Sequence, residues 1–264
     1  MKRLSIPRFE LVFYTVFFVN IIFLIAIFGG MVLFQKRTSL NDILENPELS
    51  FAVLFTLKTS LTAVVLAAVI AMPCGYILSR GRFPGKVILD TLIDLPIILP
   101  PLVSGVALLI FFGPVLGENL SRIGLEVVFS PPGVIVAQCF IATPFAIRTF
   151  RQAFDSIDPR MENIARTLGC SPVQVFFKVT VPAARKGIIG GITLAWARTI
   201  GEFGATAMLA GVTRLKTETL AVAIYLNMAI GDLPFSLTVS VLLLFAAMAV
   251  LVSFRTVTRT GERI

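Results

Sequence analysis

Long apolar runs separated by short polar stretches make up most of this chain. Six of the runs are near or above the ~20 residues that an α-helix needs to cross a bilayer. They cover residues 11–34, 51–79, 87–112, 133–150, 187–211 and 235–254. The pattern predicts an all-α membrane protein with about six transmembrane helices, built as a single domain over residues 1–264.

The polar stretch 151–186, between the fourth and fifth runs, carries its own helix signals. Asp158-Pro159 suits an N-cap followed by a first helical residue. Gly169 suits the left-handed residue that ends a helix. Ser171 and Gln174 then match a capping box at the start of a second helix. We therefore expect two short helices joined by a tight corner.

The second of these helices carries an apolar stripe of Val173, Phe176 and Phe177, at positions i, i+3 and i+4. The helix is too short to cross a bilayer, so the stripe needs another apolar partner. One interpretation is a surface that docks on a second protein. The other is a helix that lies in the lipid interface.

Composition and charge narrow the class of protein. With 56% hydrophobic and 14% charged residues, the chain is too apolar for a soluble domain. It has no histidine and three scattered cysteines, which give neither a metal-ligand cluster nor a CxxC pair. Sixteen basic residues fall in segments that share a side with the N-terminus, whereas five fall on the other side. This bias predicts that both termini are cytoplasmic, and it makes the net charge of +8 a topology signal rather than a sign of nucleic-acid binding.

The third apolar run is interrupted by three prolines within the stretch Asp94–Pro101. Proline lacks a backbone donor, and irregular backbone at membrane depth persists only where protein or a water-filled cavity covers it. The stretch is therefore a candidate wall of a transport pathway. Asp94 has two possible roles, as a functional charge or as the cap of a helix that restarts at Pro96.

The fifth run contains Arg198 and Glu202, one helical turn apart. This spacing allows them to form an ion pair, and ionised residues inside a membrane usually face a bundle interior or an aqueous cavity. We expect them to line or support a gate. The small residues Gly201, Gly204 and Ala205 allow close helix packing and could equally mark a subunit interface.

The polar loop resembles the cytoplasmic EAA loop of ABC-importer permeases. Gly169 is followed, after nine intervening residues, by Val179-Thr180-Val181-Pro182, which is similar to the family's Gly…Ile-x-Leu-Pro ending. The family's Glu-Ala-Ala falls on Asn163-Ile164-Ala165, with the acid Glu162 one position early. The resemblance implies a coupling helix that sits in a cleft of an ATP-hydrolysing subunit.

Two longer stretches are similar to molybdate-type permeases. Residues 83–105, FPGKVILDTLIDLPIILPPLVSG, resemble the corresponding part of molybdate and sulfate permeases. The Glu-Phe-Gly-Ala-Thr core at 202–206, with its flanks to Asp232, closely resembles the molybdate/tungstate family. The similarity covers most of the chain from the second span onward.

The resemblance implies a permease subunit that imports an oxyanion, molybdate or tungstate first and sulfate as the alternative. It also implies a homodimer, two separate ATPase subunits that bind ATP and Mg²⁺, and an external oxyanion-binding protein. No cofactor is expected in this chain, because it lacks a G-x-x-x-x-G-K-[ST] phosphate loop. A secondary transporter or channel that needs no ATP is the alternative from another class. A membrane enzyme is a remote third, because a nucleophile and base are lacking.

Two sets of residues follow as candidates for function. The ATPase-coupling set is Glu162, Asn163, Ala165, Gly169, Val173, Phe176, Phe177 and Pro182. The pathway or gate set is Asp94, Pro100, Ser104, Arg198, Glu202, Phe203 and Thr206.

Overall fold

The structure is a computed structural model, and it describes residues 8–34 and 45–259. The described residues form helices and connecting turns, without a strand. Five of the basic residues counted for the charge bias lie outside the described residues: Lys2, Arg3, Lys36, Arg37 and Arg263. The helices are α1 (Arg8–Phe34), α2 (Pro47–Arg80), α3 (Lys86–Ile98), α4 (Pro101–Ile110), α5 (Gly117–Arg122), α6 (Pro131–Asp155), α7 (Pro159–Thr167), α8 (Pro172–Val175), α9 (Val181–Ile200), α10 (Gly204–Ala210), α11 (Leu220–Ala229) and α12 (Leu233–Arg259). Two π-helical turns, Phe111–Val115 and Phe176–Thr180, continue α4 and join α8 to α9.

Four helices in the described part of the chain are long and apolar enough to cross a membrane: α1, α2, α6 and α12. The bent pair α3 and α4 makes a fifth crossing if it is taken as one span. The expected fifth span, residues 187–211, is not continuous, because α9 ends at Ile200 and α10 begins only at Gly204. The all-helical membrane fold is confirmed, whereas the exact count of six is not.

The interruption of the third span lies later than the prolines alone predicted. α3 continues through Asp94 and Pro96 to Ile98, and the axis then turns by 111° before α4. Leu99 and Pro100 are both extended, with ψ of 138° and 135°. Each of them precedes a proline, which disfavours the helical conformation. The idea that Asp94 caps a helix restarting at Pro96 is therefore wrong, since the restart is at Pro101.

The centre of the molecule is the packing of α2 and α6, which α9 joins. Phe150 and Phe154 of α6 are fully buried there, in the same core cluster as small residues of α2 such as Ala67 and Ala71. A Cβ atom at Gly75 would come within 3.0 Å of the Phe150 Cβ atom. Small residues thus let these helices approach closely, as is typical of helix packing in membranes.

Candidate coupling and gate sites

The polar segment after α6 has the helix ends that its sequence predicts. The Asp158 side chain accepts a hydrogen bond from the Arg160 N–H at 2.9 Å, and Pro159 begins α7. Gly169 turns the chain with φ of +88°, in the left-handed region that favours glycine. The Ser171 N–H donates to Gln174 Oε1 at 2.9 Å, and the Gln174 N–H donates to Ser171 Oγ at 3.3 Å. The first helix, the corner and the capping box are all confirmed.

The second short helix does not stop, and its predicted stripe is not a single surface. α8 runs through the π-helical turn directly into α9. Phe176 turns inward, with ring centroids 4.9 Å from Tyr76 and 6.2 Å from Phe154. Phe177 lines a groove of about 600 Å³ beside the α2 residue Val69. Val173 and Phe177 are 66% and 64% exposed, whereas Phe176 is half-buried, so the three residues do not form one exposed stripe.

A different apolar face is exposed on α7. Met161, Ile164 and Leu168 are 48%, 59% and 80% exposed, at positions i, i+3 and i+7. An adjacent face of the helix carries Glu162 and Ala165, which are buried against the rest of the chain. The helical spacing of these three residues is a signal that the sequence contains, but the sequence prediction used the stripe on the next helix instead.

The buried face of α7 is held by an ion pair. The Arg80 guanidinium of α2 donates from Nε to Glu162 Oε1 at 3.0 Å, and the Tyr76 hydroxyl donates to Glu162 Oε2 at 3.1 Å. Arg80 also donates from Nη2 to the Ile157 carbonyl at 3.0 Å. Glu162 therefore points into the protein rather than outward.

The remaining members of the coupling set lie around the same corner. Asn163 and Val173 are exposed, Gly169 forms the turn itself, and Pro182 is exposed at the second residue of α9. These residues and the exposed face of α7 are together called the ridge.

In the gate set, Arg198 and Glu202 form the expected pair. Arg198 Nη1 lies 2.7 Å from Glu202 Oε2. The other carboxylate oxygen of Glu202 accepts a hydrogen bond from the Ala205 N–H at 2.9 Å. Glu202 is only 1% exposed. The carboxylate thus joins the last turn of α9 to the first turn of α10 across the break.

α4 and α10 pack against each other with almost no space between their backbones. A Cβ atom added to Gly105 would lie 2.7 Å from the Met208 Cβ atom and 2.8 Å from the Ala205 Cα atom. Ser104 on α4 and Thr206 on α10 are both buried, and their hydroxyl groups have no hydrogen-bond partner among the residues that the structure describes. The half-buried ring of Phe203 packs against the ring of Tyr225 in a tilted arrangement, with 5.0 Å between the two ring centroids. These members of the gate set therefore lie on one packed pair of short helices.

Asp94 and Pro100 lie outside the contact between α4 and α10. Pro100 is exposed at the bend. Asp94 forms an ion pair with Arg148 of α6, and Arg148 also lies 3.0 Å from Asp90. Arg151 lies 2.8 Å from Asp90. Asp94 therefore belongs to an ion-pair cluster between α3 and α6, with partners that sequence spacing could not reveal.

A second polar cluster, at the Glu48 end of α2, was missed by sequence reasoning. Glu48 accepts hydrogen bonds from Asn227 Nδ2 at 2.7 Å and from Arg214 at 3.2 Å. Glu218 is fully buried beside them, and one of its oxygens accepts from the Leu215 N–H at 2.9 Å. Burial and the neighbouring Glu48 raise the pKa of Glu218 from 4.5 to about 7. These residues are ordinary loop and helix-end types, so no sequence signal marks the cluster.

These features define a class of protein: a multi-pass helical membrane protein with a broken span and a helical docking segment in one of its loops. The family model described as "Binding-protein-dependent transport system inner membrane component" matches residues 67–259, and the chain belongs to this family. The family resemblance expected from the sequence is thereby confirmed.

Relatives with curated names are similar over most of the chain. The sulfate transport system permease protein CysT of Salmonella typhimurium (strain LT2) is 33% identical over 226 residues, covering 84% of this chain and 82% of the relative. The molybdenum transport system permease protein ModB of Escherichia coli (strain K12) is 39% identical over 186 residues, covering 69% of this chain and 81% of the relative. A probable molybdenum ABC transporter permease protein of Haloferax volcanii is 38% identical over 199 residues, covering 75% of this chain and 72% of the relative.

Solved structures agree on the fold. A bacterial alginate ABC transporter, in complex with an alginate pentasaccharide-bound periplasmic protein, superposes with a TM-score of 0.73 at 17% identity, over 99% of this chain and 98% of that chain. The MetNI methionine ABC transporter in an inward-facing conformation superposes with a TM-score of 0.60 at 22% identity, over 79% of this chain and 94% of that chain. This chain is accordingly the permease subunit of an ABC importer, a transport subunit rather than an enzyme, and ATP hydrolysis belongs to a separate subunit.

Proposed function

We propose that this permease carries a tetrahedral oxyanion across the cytoplasmic membrane, with molybdate or tungstate as the first candidate. The observation that supports the proposal most is the similarity to permeases named for molybdenum transport, at 38% and 39% identity in the two cases above. Sulfate is the second candidate, because the CysT relative is 33% identical over a longer stretch.

The charges of the described residues favour a weak site in the pathway. A tightly held dianion needs several convergent donors or cations. Arg198 is neutralised by Glu202, and Arg148 and Arg151 are neutralised by aspartates. Selectivity would therefore reside in an external binding protein, and the permease would release what it receives.

Uptake by reconstituted complexes tests this proposal. Proteoliposomes holding the permease with its ATPase subunits should take up molybdate or tungstate only when ATP and the loaded binding protein are both present. Sulfate uptake with a sulfate-loaded binding protein would select the second candidate. Uptake that continues without ATP would contradict the proposal and favour a secondary transporter.

The assembly we propose is a permease homodimer bound to two ATPase subunits and one external binding protein. The first helix offers surface to a second permease copy, because the segment Phe9–Phe34 has no buried part within its own chain. Native mass spectrometry of the purified complex should give two permease chains and two ATPase chains. A single permease chain per complex would contradict the homodimer.

We also propose that both termini and the corner at Gly169 are cytoplasmic, on the basis of the basic-residue bias. Single cysteines at Ser171 and Asn119, both exposed, test this in a variant whose native cysteines are replaced. A membrane-impermeant maleimide should label position 119 in intact cells and position 171 only after permeabilisation. Labelling of position 171 from outside would reverse the orientation.

The ATPase docks, in this proposal, on the ridge formed by α7 and the corner. Exposed Met161, Ile164, Leu168 and Val173 supply apolar contacts, and Asn163, Gly169 and Pro182 flank them. Glu162, Ala165 and Phe176 support this ridge from behind.

The proposed gate is the packed pair of α4 and α10, with Ser104, Phe203, Thr206 and the Arg198–Glu202 pair. Pro100 marks its hinge, and Asp94 anchors α3 beside it.

A further inference from the structure

The clasp formed by Glu162, Arg80 and Tyr76 connects two parts of the molecule that are far apart in sequence. Glu162 and Arg80 side chains are only 4% and 17% exposed. A buried carboxylate is costly unless it is paired and hydrogen-bonded, and here Glu162 receives one bond from a guanidinium and one from a phenol. The helix that bears the docking face is thus fixed to α2 by its buried face.

The contacts around the clasp restrict how α7 can move. The Arg80 guanidinium also holds the Ile157 carbonyl, in the turn just before α7. The Tyr76 ring packs edge-on against Phe154 and Phe176, with centroids 5.7 Å and 4.9 Å away. Both ends of the α7 segment therefore contact the same turn of α2, and a displacement of α7 cannot leave α2 in place without breaking the ion pair.

α2 reaches from this clasp to the other side of the molecule. It has 34 residues, about 51 Å of helix. Near its far end, Glu48 holds Arg214 and Asn227, and the Thr56 hydroxyl accepts a hydrogen bond from the Leu220 N–H at 2.8 Å. The loop between α10 and α11, which follows the proposed gate helix, is thus attached to the same continuous helix as α7, with Pro73 between the two points of attachment.

We propose that Glu162 is a positioning residue, which acts through Arg80 and Tyr76 to make α2 move with the docking helix. This inference rests on the proposed docking of the ATPase on α7. In this mechanism, Glu162 does not contact the ATPase. Its carboxylate transmits the position of α7 to α2, and α2 transmits it to the loop beside the gate.

The test measures coupling in the full transporter reconstituted in nanodiscs. The readout is the ratio of ATP hydrolysis with and without loaded binding protein. Glu162→Gln and Arg80→Gln should each lower this ratio by about 5-fold or more, whereas the ATPase subunits should still co-purify in full. The double variant should lower the ratio no further than either single variant does, because the effects of residues that act as one pair are not additive.

Glu118→Gln is a matched control, since it breaks an exposed Glu–Arg pair, and it should keep the wild-type ratio.

Tyr76→Phe is a milder variant, since it keeps the ring contacts and removes only the hydroxyl donor to Glu162. It should lower the ratio to a smaller extent, and it decides the question if Glu162→Gln does not fold. A wild-type ratio in Glu162→Gln or in Tyr76→Phe would overturn the proposal. So would loss of ATPase subunits from Glu162→Gln but not from Arg80→Gln, which would mean that Glu162 contacts the ATPase. Absence of any stimulation in the wild type would instead refute the proposed function.

Discussion

Arg198 and Glu202 form an ion pair whose members differ in exposure: the Arg198 side chain is 32% exposed, whereas that of Glu202 is 1% exposed. The carboxylate is thus the buried partner, and it also accepts the Ala205 N–H. Removing the arginine leaves a buried charge without its counter-ion. Removing the carboxylate leaves a cation that is 32% exposed.

We therefore expect Arg198→Met to be more damaging than Glu202→Gln. Breaking a buried ion pair from one side typically costs about 3 kcal/mol or more. Glu202→Gln keeps an oxygen that can accept the Ala205 N–H, and so it should cost less. Thermal unfolding of the purified permease, followed in detergent, checks this order. The double variant should recover part of the stability that Arg198→Met loses. A double variant that is no more stable than Arg198→Met would contradict the pairing.

The proposed docking face predicts which residues hold the ATPase. Ile164→Ala and Leu168→Ala remove exposed apolar side chains from α7 and should weaken ATPase binding by about 10-fold or more if they are central to the interface. Phe177→Ala is the comparison, because Phe177 lines the groove beside α2 instead. Titration of the ATPase subunit onto permease in nanodiscs measures both. A loss confined to Phe177→Ala would contradict docking on α7 and place the docking face on the Phe177 side of the segment.

Local sequence signals predicted the ends of α7 and the start of α8, because caps depend on residues within one turn of each other. The pairing of Arg198 with Glu202 was predictable for the same reason. The course of α8 was not, because its continuation into α9 accompanies the packing of Phe176 against Tyr76 and Phe154, residues distant in sequence. The role of Asp94 was missed because its partner Arg148 is 54 positions away. Glu218 gave no signal, because its burial depends on the surrounding fold.

The close packing of α4 and α10 predicts a strong effect of one methyl group. Gly105→Ala places a Cβ atom within 2.8 Å of the Ala205 Cα atom, a backbone position that a side-chain rotation cannot relieve. Overpacking of this kind typically costs about 1–3 kcal/mol. We expect lower thermal stability and reduced uptake. Gly113→Ala is the control, since its added methyl group meets nothing closer than 3.8 Å. Equal stability of the two variants would show that the helices are not packed as described.

The buried carboxyl of Glu218 predicts a pH dependence of stability. Its pKa is raised from 4.5 to about 7, first by burial and then by Glu48, so the folded protein keeps a proton that the unfolded chain loses. The contribution to the free energy of unfolding is fully present below pH 4.5, decreases as the pH rises through this window, and levels off above about pH 7. Glu218→Gln carries no such proton and should flatten this part of the profile. Thermal unfolding of both proteins between pH 4.5 and 8 measures the difference. Since Arg214 faces the same pair and opposes the shift, Arg214→Gln should move the upper end of this window to higher pH, while the lower end stays at the pKa of the unfolded chain. Identical profiles for Glu218→Gln and the wild type would mean that Glu218 is ionised throughout.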